Sequence, residues 1–512
     1  MDTSKPEITR SSSLHDRIGR NWRTASTPLA TLLACLVLLP LLGHKPLTNW
    51  DEGIYAEISR EMLSLGMLVP HWNYQPWFEK PPLMFWITAA LFKIFGINEF
   101  WARAGSALSG VAIVALLHGW LARRNDILAA WLSTFILLGT FGFLHVCRAG
   151  EMDVLLSLGC CIALCGLTAV QDFKLSGWYL FWAGMAIALM TKGAASIVLI
   201  IAALIFAAVE RWNSTRLGKE FSLGLLLFLA AILPWHLYMA QRFGTGFLTE
   251  YLGFHVLERA THQIEEHNTH WWYYLWVLVI SAAPFVLLYP FALVDSLKRR
   301  QLRAFSVFAL VVVAFFTAVQ TRLPHYIAPA YPALSAITAV FLADRLRNLQ
   351  QRRVQSAKLF WSTVAIAIIS LSTVSALLTT GPRRRLHQAK VGPDIVYAEK
   401  ESIQLLRDVF SHPQPVPPPL LAWWEGNQRS IATSVFYAAR PVRQVQLEPP
   451  PAGVPTDKYL FQPETLANAL GSGPRIILLD KYLVQQVPPG FSYRPIASGR
   501  SMEVVLIARQ SH

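Results

Sequence analysis

Long apolar segments recur along the first three quarters of this sequence, and they constrain its fold more than any other feature. Apolar residues make up 54% of the 512 residues, whereas charged residues make up 15%, below the globular average of about 25%. An α-helix of about 20 apolar residues crosses the roughly 30 Å hydrocarbon core of a bilayer. The sequence therefore predicts an α-helical polytopic membrane protein.

About eleven segments have the composition of membrane spans, and we place the N-terminus in the cytoplasm. This orientation puts the clusters of Lys and Arg between spans on the cytoplasmic side, as the positive-inside rule requires. Segment 82–95 is apolar but shorter, and counting it as a span would invert every later loop. We therefore expect an interfacial helix there, on the outer leaflet beside a second helix over 55–65. The predicted spans are 27–43, 104–121, 127–145, 154–170, 177–191, 194–209, 221–239, 272–292, 304–320, 326–343 and 359–379.

The chain divides into three predicted parts. Residues 1–26 form a basic cytoplasmic segment, and the apolar run that follows is a retained anchor because no small-residue cleavage site ends it. Residues 27–380 form the membrane domain. Residues 381–512 contain short β-like runs and helix-like segments, so we predict a small soluble α/β domain, exported because the number of spans is odd.

Charge and cysteine content exclude two other classes. The net charge of +14 does not indicate nucleic-acid binding, because Lys and Arg lie in short clusters between apolar segments. The cysteines lie in or beside apolar segments and form neither a disulfide framework nor a zinc-ligand pattern. They are Cys35, Cys147, Cys160, Cys161 and Cys165.

Carboxylates cluster just outside the first predicted span, in Asp51-Glu52-Gly53-Ile54-Tyr55. Charged groups at a membrane border are costly to desolvate, so such a cluster indicates a reactive site. A carboxylate here could accept a proton from an acceptor hydroxyl or amine. Asp51 could instead be the N-cap of the following helix, a position that aspartate favours.

Further charged residues are predicted for the same side of the membrane. Glu79-Lys80 precedes two prolines, which rigidify the pair so that the lysine can be aimed at a phosphate. Arg148 can pair with a carboxylate or a phosphate, whereas Asp153 begins a span, where the helix dipole alone also favours a carboxylate. Lys192 emerges on that side as well. We therefore predict a shared cavity at the outer face.

Histidines and acids are concentrated in the fourth outer loop, residues 241–270. Both are ligands for zinc and similar ions, but the loop contains no HExxH pair. A metal would need a partner from elsewhere, and Glu79 is the obvious donor. The loop residues concerned are His255, Arg259, His262, Glu265, Glu266, His267 and His270.

Seven stretches, in this order, resemble the polyprenyl-phosphate-sugar glycosyltransferases with the C-type membrane fold. That family includes protein O-mannosyltransferases and bacterial lipid A aminoarabinose transferases, and the sequence resembles the second branch in particular. The likeness covers roughly residues 25–345, and DExxY together with FEKPP is its most specific part. The stretches are DEGIYAEISREM, FEKPPLMFW, RAGEMDVLL, MTKGAAS, FHVLERA, EEHNTHWWYYL and RLPHYIAPAYPAL.

The resemblance implies transfer of a pentose or hexose from a polyprenyl-phosphate donor to an envelope acceptor such as lipid A. The transfer would take place at the periplasmic face of the bacterial inner membrane. The catalytic residues implied are Asp51, Glu52 and Asp153. The donor phosphate contacts implied are Lys80, Arg148, Lys192, Arg259 and Tyr331, and the substrate contacts are Tyr55, His325 and Tyr326. A divalent ion, zinc, magnesium or manganese, would be held by Glu79 and His267.

Other functions stay open at this point. One is a protein O-mannosyltransferase-like activity on exported proteins, and another is a lipid-linked sugar transporter or flippase. Transporters place ionisable residues near the midplane and contain repeated halves, whereas here these residues lie at one border and no repeat is visible. A third is an envelope scaffold, but the outer loops have many ionisable residues and no long apolar docking face. These features favour an enzyme.

Overall fold

Helices form most of the regular structure before residue 352. The computed structural model describes residues 14–48, 50–124, 126–251, 270–351, 393–412, 419–423, 432–446, 464–470 and 473–510. The helices of the first four ranges are α1 (Leu14–Leu38), α2 (Asp51–Leu65), α3 (Leu83–Phe95), α4 (Glu99–Arg123), α5 (Ile127–Gly139), α6 (Phe141–Arg148), α7 (Asp153–Gln171), α8 (Gly177–Lys192), α9 (Ile197–Val209), α10 (Lys219–Leu248), α11 (Tyr273–Ala282), α12 (Tyr289–Lys298), α13 (Arg303–Ala318) and α14 (Ala330–Gln351). A short hairpin of β1 (His71–Trp72) and β2 (Gln75–Pro76) follows α2.

Several of these helices are long and apolar enough to cross a membrane. Within the described ranges there are four such segments by length and composition, one of which is 177–209 with α8 and α9 taken together, or up to six if each of two bent pairs is one span. The bent pairs are α5 with α6, at 68°, and α11 with 285–298, at 118°. This result confirms the predicted class of helical polytopic membrane protein. The number eleven stays a prediction, since 359–379 lies outside the described residues.

Helices α8 and α9 are joined by a reversal of the chain. Gly193, between them, has a left-handed φ of 51°. The Trp212 ring lies 6.1 Å from the Trp178 ring and 5.3 Å from the Phe206 ring, so the beginning of α8 and the end of α9 are close together. A straight helix from Trp178 to Phe206 would separate them by roughly 40 Å at 1.5 Å per residue. The two helices therefore run antiparallel, as the two predicted spans 177–191 and 194–209 require.

Loops predicted to be cytoplasmic lie together at one end of the bundle, which we call the basic end. Ion pairs and one bond from Arg300 to the Gln171 carbonyl, at 3.0 Å, connect the loops after α4, α7, α9 and α12 with one another and with the last part of α14. The predicted alternation of loops agrees with this arrangement. The ion pairs are Arg124 with Asp172, Arg303 with Glu210 and Arg347 with Asp126.

Helices α2 and α3 lie at the opposite end, which we call the site end. Helix α3 packs against α2 and α4, and α2 buries Ile54, Ile58 and Met62. A helix was predicted at 82–95, and α3 confirms it. Its position on the outer leaflet stays a prediction.

A small α/β unit is present among residues 393–510. Its sheet has the strand order β5-β4-β3-β6-β8-β7, parallel from β5 to β6 and antiparallel at β8 and β7. This topology confirms the predicted small C-terminal α/β domain, while its boundary at 381 stays a prediction. The strands are β3 (Leu420–Trp423), β4 (Val442–Gln446), β5 (Glu464–Thr465), β6 (Arg475–Asp480), β7 (Phe491–Ser498) and β8 (Met502–Arg509), and the helices are α15 (Pro393–Phe410), α16 (Ala432–Ala438) and α17 (Leu466–Leu470).

The C-terminal sheet lies at the site end. One apolar cluster contains Ile58 and Trp72 of the first outer loop together with Leu420 and Val442 of the sheet. Burial of these side chains in a single cluster joins the domain to α2. The soluble domain is therefore on the side of the bundle that carries the predicted site residues.

Candidate active site

Helix α2 presents Asp51 in its first turn. The cap position is Trp50, which has a φ of 65° and makes no side-chain capping bond. Glu52 instead reaches back to the segment before the helix, where its Oε2 accepts from the Thr48 backbone N–H at 2.6 Å and from the Thr48 hydroxyl at 2.9 Å. The alternative that Asp51 is the N-cap is therefore wrong. The half-buried Asp51 carboxylate has no capping role.

Glu52 is held in a buried ion pair. Its side chain is 4% exposed, and its two oxygens accept from Arg103 Nε at 2.6 Å and Nη2 at 3.0 Å. The Gly150 N–H donates to Oε1 at 3.1 Å. Burial raises the pKa of Glu52, but the charge and hydrogen bonds of Arg103, with the N–H groups of Thr48 and Gly150, outweigh it and lower the pKa overall. An ionised carboxylate so fully bonded is a poor base, so the contacts favour a structural role for Glu52, and its predicted catalytic role stays a prediction.

Arg103, near the start of α4, is a residue that the sequence analysis missed. Besides Glu52, its guanidinium donates to the carbonyl oxygens of Leu42, Lys45 and Pro46, at 2.8, 2.7 and 2.8 Å. It ties the segment after α1 to the start of α2. A signal was present, because one arginine borders an apolar span, where an ionisable group is costly.

Asp153 and Lys192 form a second buried pair. Lys192 Nζ lies 2.7 Å from Asp153 Oδ1, and the two side chains are 12% and 4% exposed. The same ammonium lies 4.8 Å from the centre of the Tyr326 ring, and Asp51 interacts with it electrostatically. Two predicted acceptor-side carboxylates and a predicted phosphate-binding lysine therefore come together from α2, α7 and α8.

Close packing of α7 on α8 positions this pair. A Cβ atom added at Gly159 would lie 2.6 Å from the Gly184 carbonyl oxygen, and one at Gly166 would lie 2.5 Å from that of Gly177. Small residues at such contacts let two membrane helices approach closely. Because the helices are antiparallel, this contact brings the C-terminal end of α8 to the first residue of α7.

The turn between α13 and α14 contributes His325 and Tyr326. It is a 3-10 turn at Pro324–Ile327, and it places His325 Nδ1 3.9 Å from Glu151 Oε2. Glu151 lies two residues before Asp153. Both predicted substrate-binding residues of this turn are thus beside the Asp153–Lys192 pair.

Glu79 and Lys80 are buried, at 6% and 9% exposure, with Lys80 Nζ 4.0 Å from Glu79 Oε2. The neighbouring Phe78 ring packs on the rings of Phe243 and Phe247 in α10, with centroid distances of 4.8 and 5.7 Å. This packing holds the segment of the first outer loop that carries the charged pair against α10.

The predicted metal pair is described in part. Glu79 is among the described residues. His267 and the predicted phosphate contact Arg259 lie outside them. Within the described ranges, no group of three or more His, Cys, Asp or Glu side chains could hold a metal ion. The set of ligands therefore stays a prediction, and we derive no chemical step through a metal.

Arg148 contacts protein backbone in this structure. Its guanidinium donates to the carbonyl oxygens of Leu38 and Pro40, both at 2.8 Å, and so satisfies the C-terminal end of α1. The predicted phosphate contact would have to replace these bonds. The structure supports a helix-capping role for Arg148 instead.

Two predicted tyrosines are packing residues. Tyr331 is 2% exposed and donates its hydroxyl to Ser281 Oγ at 2.8 Å, so its predicted phosphate contact would have to replace this bond and stays a prediction. The ring of Tyr55 packs on Trp77 and Phe85, with centroid distances of 6.5 and 5.7 Å, so its ring belongs to the core. Substrate binding by Tyr55 stays a prediction.

The geometry defines a multi-span membrane protein whose charged site lies at the end of the bundle that carries a soluble domain. A family described as dolichyl-phosphate-mannose-protein mannosyltransferase matches residues 79–238. An uncharacterized protein of Aquifex aeolicus is 30% identical over 307 residues, which is 58% of this chain and 69% of that protein. The undecaprenyl phosphate-alpha-4-amino-4-deoxy-L-arabinose arabinosyl transferase of Erwinia tasmaniensis is 32% identical over 327 residues, 61% of this chain and 58% of the relative.

A solved structure agrees with this result. The crystal structure of ArnT from Cupriavidus metallidurans bound to undecaprenyl phosphate matches with a TM-score of 0.73 and 20% identity, covering 94% of this chain and 98% of that one. At this identity the match shows the fold. The chain belongs to the polyprenyl-phosphate-sugar glycosyltransferases with the C-type membrane fold. It is a glycosyltransferase, as the sequence motifs predicted.

Proposed function

We propose that this protein transfers a sugar, a pentose or hexose, from a polyprenyl-phosphate donor to an envelope lipid such as lipid A. The observation that carries the proposal is the convergence of Asp51, Asp153 and Lys192 at the site end, with Tyr326 over the same ammonium. The arabinosyl transferases that match the chain are named for a sugar donor linked to undecaprenyl phosphate. This relation supports the donor class.

Asp51 is the general base of the proposed reaction. It accepts the proton of the acceptor hydroxyl while that oxygen attacks the anomeric carbon of the sugar. A bond forms between the acceptor oxygen and the anomeric carbon, and the bond from that carbon to the donor phosphate oxygen breaks. The electron pair leaves with the phosphate, which gives polyprenyl phosphate as the second product.

Lys80 and Lys192 stabilise the leaving phosphate. Charge that develops on a leaving group in a poorly hydrated site is stabilised by cations fixed in advance. Asp153 fixes Lys192, so we assign Asp153 the role of orienting this lysine. A divalent ion at Glu79 and His267, when bound, would neutralise phosphate charge as well.

The reaction is assigned to the periplasmic face of the inner membrane. The basic clusters lie at the opposite end of the bundle from Asp51, and such clusters favour the cytoplasm. The C-terminal domain, which we predict to be exported, packs at the same end of the bundle as Asp51.

The test is transfer of radiolabelled sugar by purified protein in lipid nanodiscs. Polyprenyl-phosphate sugars are offered with lipid A in one arm and with envelope proteins in another. We expect labelled lipid, and Asp51→Asn should lower transfer by about 10²-fold because the base is lost. Asp408→Asn, an exposed carboxylate of the C-terminal domain, is the matched control. Label in protein alone would favour protein mannosylation, and movement of donor without a covalent product would favour a flippase.

A further inference from the structure

The C-terminal domain contacts the segments of the membrane domain that carry the site. Residues 42–52 include Asp51, and the hairpin β1–β2 directly precedes Glu79 and Lys80. The sheet and its helices contact both segments through directed hydrogen bonds. The contacts at each segment are specific to a few side chains.

Tyr437 of α16 connects the domain to the segment before Asp51. Its hydroxyl accepts from the Leu47 backbone N–H at 2.9 Å and donates to Glu99 Oε1 at 2.9 Å. Both the donor and the acceptor capacity of the hydroxyl are therefore used. Arg407 of α15 also pairs with Glu99, and its guanidinium lies 4.7 Å from the centre of the Tyr437 ring.

Leu47 directly precedes Thr48, which helps to orient the start of α2 and therefore Asp51. The next residue, Thr48, donates twice to Glu52, which adjoins Asp51. Leu47 itself is buried in a small apolar cluster with Phe92 of α3 and Phe436 of α16. The backbone of this segment is thus held from one side by Arg103 and from the other by the C-terminal domain.

A second contact holds the hairpin before Glu79. The amide of Asn73, at the turn between β1 and β2, donates to the Val442 carbonyl oxygen at 2.8 Å and accepts from the Val442 N–H at 2.9 Å. Asn73 has a φ of 52°, a left-handed conformation that asparagine tolerates. The side chain therefore bonds the first residue of β4 as a neighbouring strand would.

We propose that the C-terminal domain positions the segment of residues 42–52, which carries Asp51, and that Tyr437 is the central positioning residue. The inference rests on the proposed function for its activity readout. Small displacements of a catalytic group by contacts far from the chemistry lower the rate of the chemical step. Loss of the Tyr437 hydroxyl should therefore lower kcat and leave the KM for donor lipid almost unchanged.

The experiment compares Tyr437→Phe with wild type in the full chain. We expect kcat to fall about 10-fold, KM for the polyprenyl-phosphate sugar to stay within about twofold, and the melting temperature to change little. Tyr493→Phe, an exposed tyrosine on β7 of the same domain, is the control and should behave as wild type. Arg407→Gln, which removes the other partner of Glu99, should lower kcat to a smaller extent.

Hydrogen–deuterium exchange of the peptide containing Leu47 gives a readout that does not need activity. The Leu47 N–H loses its acceptor in Tyr437→Phe, so this peptide should exchange faster there than in Tyr493→Phe. Faster exchange with an unchanged kcat would overturn the positioning role, and so would unchanged exchange. If wild type shows no sugar transfer at all, the proposed function fails, and the exchange data alone then decide whether the domain holds this segment.

Discussion

The buried pair of Glu52 and Arg103 should be among the strongest polar contacts in the site region. Arg103→Met leaves the 4% exposed carboxylate of Glu52 without its cation and frees three backbone carbonyl oxygens. Removing one partner of a buried pair costs about 3–5 kcal/mol. Glu52→Gln should cost about 3 kcal/mol, the lower end, because Arg103 keeps its three carbonyl acceptors. The double variant should cost about 1–3 kcal/mol less than the sum of the singles.

A double-mutant cycle measures this coupling. Unfolding in mixed micelles titrated with a denaturing detergent gives the free energy of each variant. The control cycle uses Arg124→Met and Asp172→Asn, an ion pair with side chains 23% and 37% exposed, for which about 0.2–1 kcal/mol is expected. Additive effects at Glu52 and Arg103, within about 0.5 kcal/mol, would refute the assignment of a coupled structural pair.

Acid should remove the stabilisation that the ion pair of Glu52 and Arg103 contributes. The pKa of Glu52 is lowered in the folded protein, so its ion pair stabilises fully above the ordinary pKa of glutamate. The contribution is lost as the pH falls through the lowered value. Wild type should therefore lose more stability than Glu52→Gln in acid, and equal losses would contradict the lowered pKa.

Two further predictions concern buried carboxylates. Burial, with the charge of Glu57, raises the pKa of Glu61, so its contribution to stability is present below the ordinary pKa and is lost as the pH rises. Between pH 6 and 9, wild type should therefore lose more thermal stability than Glu61→Gln, and parallel melting curves would argue against this. Glu79→Gln and His267→Ala should each lower metal content and transfer, with the double variant little worse than either single one. Full transfer after exhaustive chelation, with no metal in the purified protein, would remove the ion.

The fold could be predicted from the sequence because its dominant signal is local. Runs of apolar residues identify membrane helices one by one, and the positions of Lys and Arg orient them. The basic end, where Arg347 meets Asp126 and Arg303 meets Glu210, is the arrangement that this rule requires. The sharp bend between α11 and 285–298 was not predicted, since hydropathy reports composition and not direction.

Only those site residues that belong to recognisable sequence motifs could be predicted. Asp51, Asp153 and Lys192 come together because each stands at the end of a helix at the site end. Arg103 was missed, since its partners are a carboxylate and three carbonyl oxygens that only the folded chain assembles. For a related reason, the motif that contains Tyr331 does not show that its hydroxyl donates to Ser281.

Roles of the carboxylates are separated by what each oxygen accepts. Glu52 adjoins Asp51, yet its oxygens are engaged by Arg103, Thr48 and Gly150, so it orders the loop and is a poor base. Asp153 is committed to Lys192, which fixes a cation where phosphate charge develops. We therefore propose proton transfer for Asp51, whose half-buried carboxylate interacts electrostatically with the Lys192 ammonium. Because Asp51 stands on a segment held by Arg103 and by Tyr437, the proposed base depends for its position on two contacts that no catalytic motif contains.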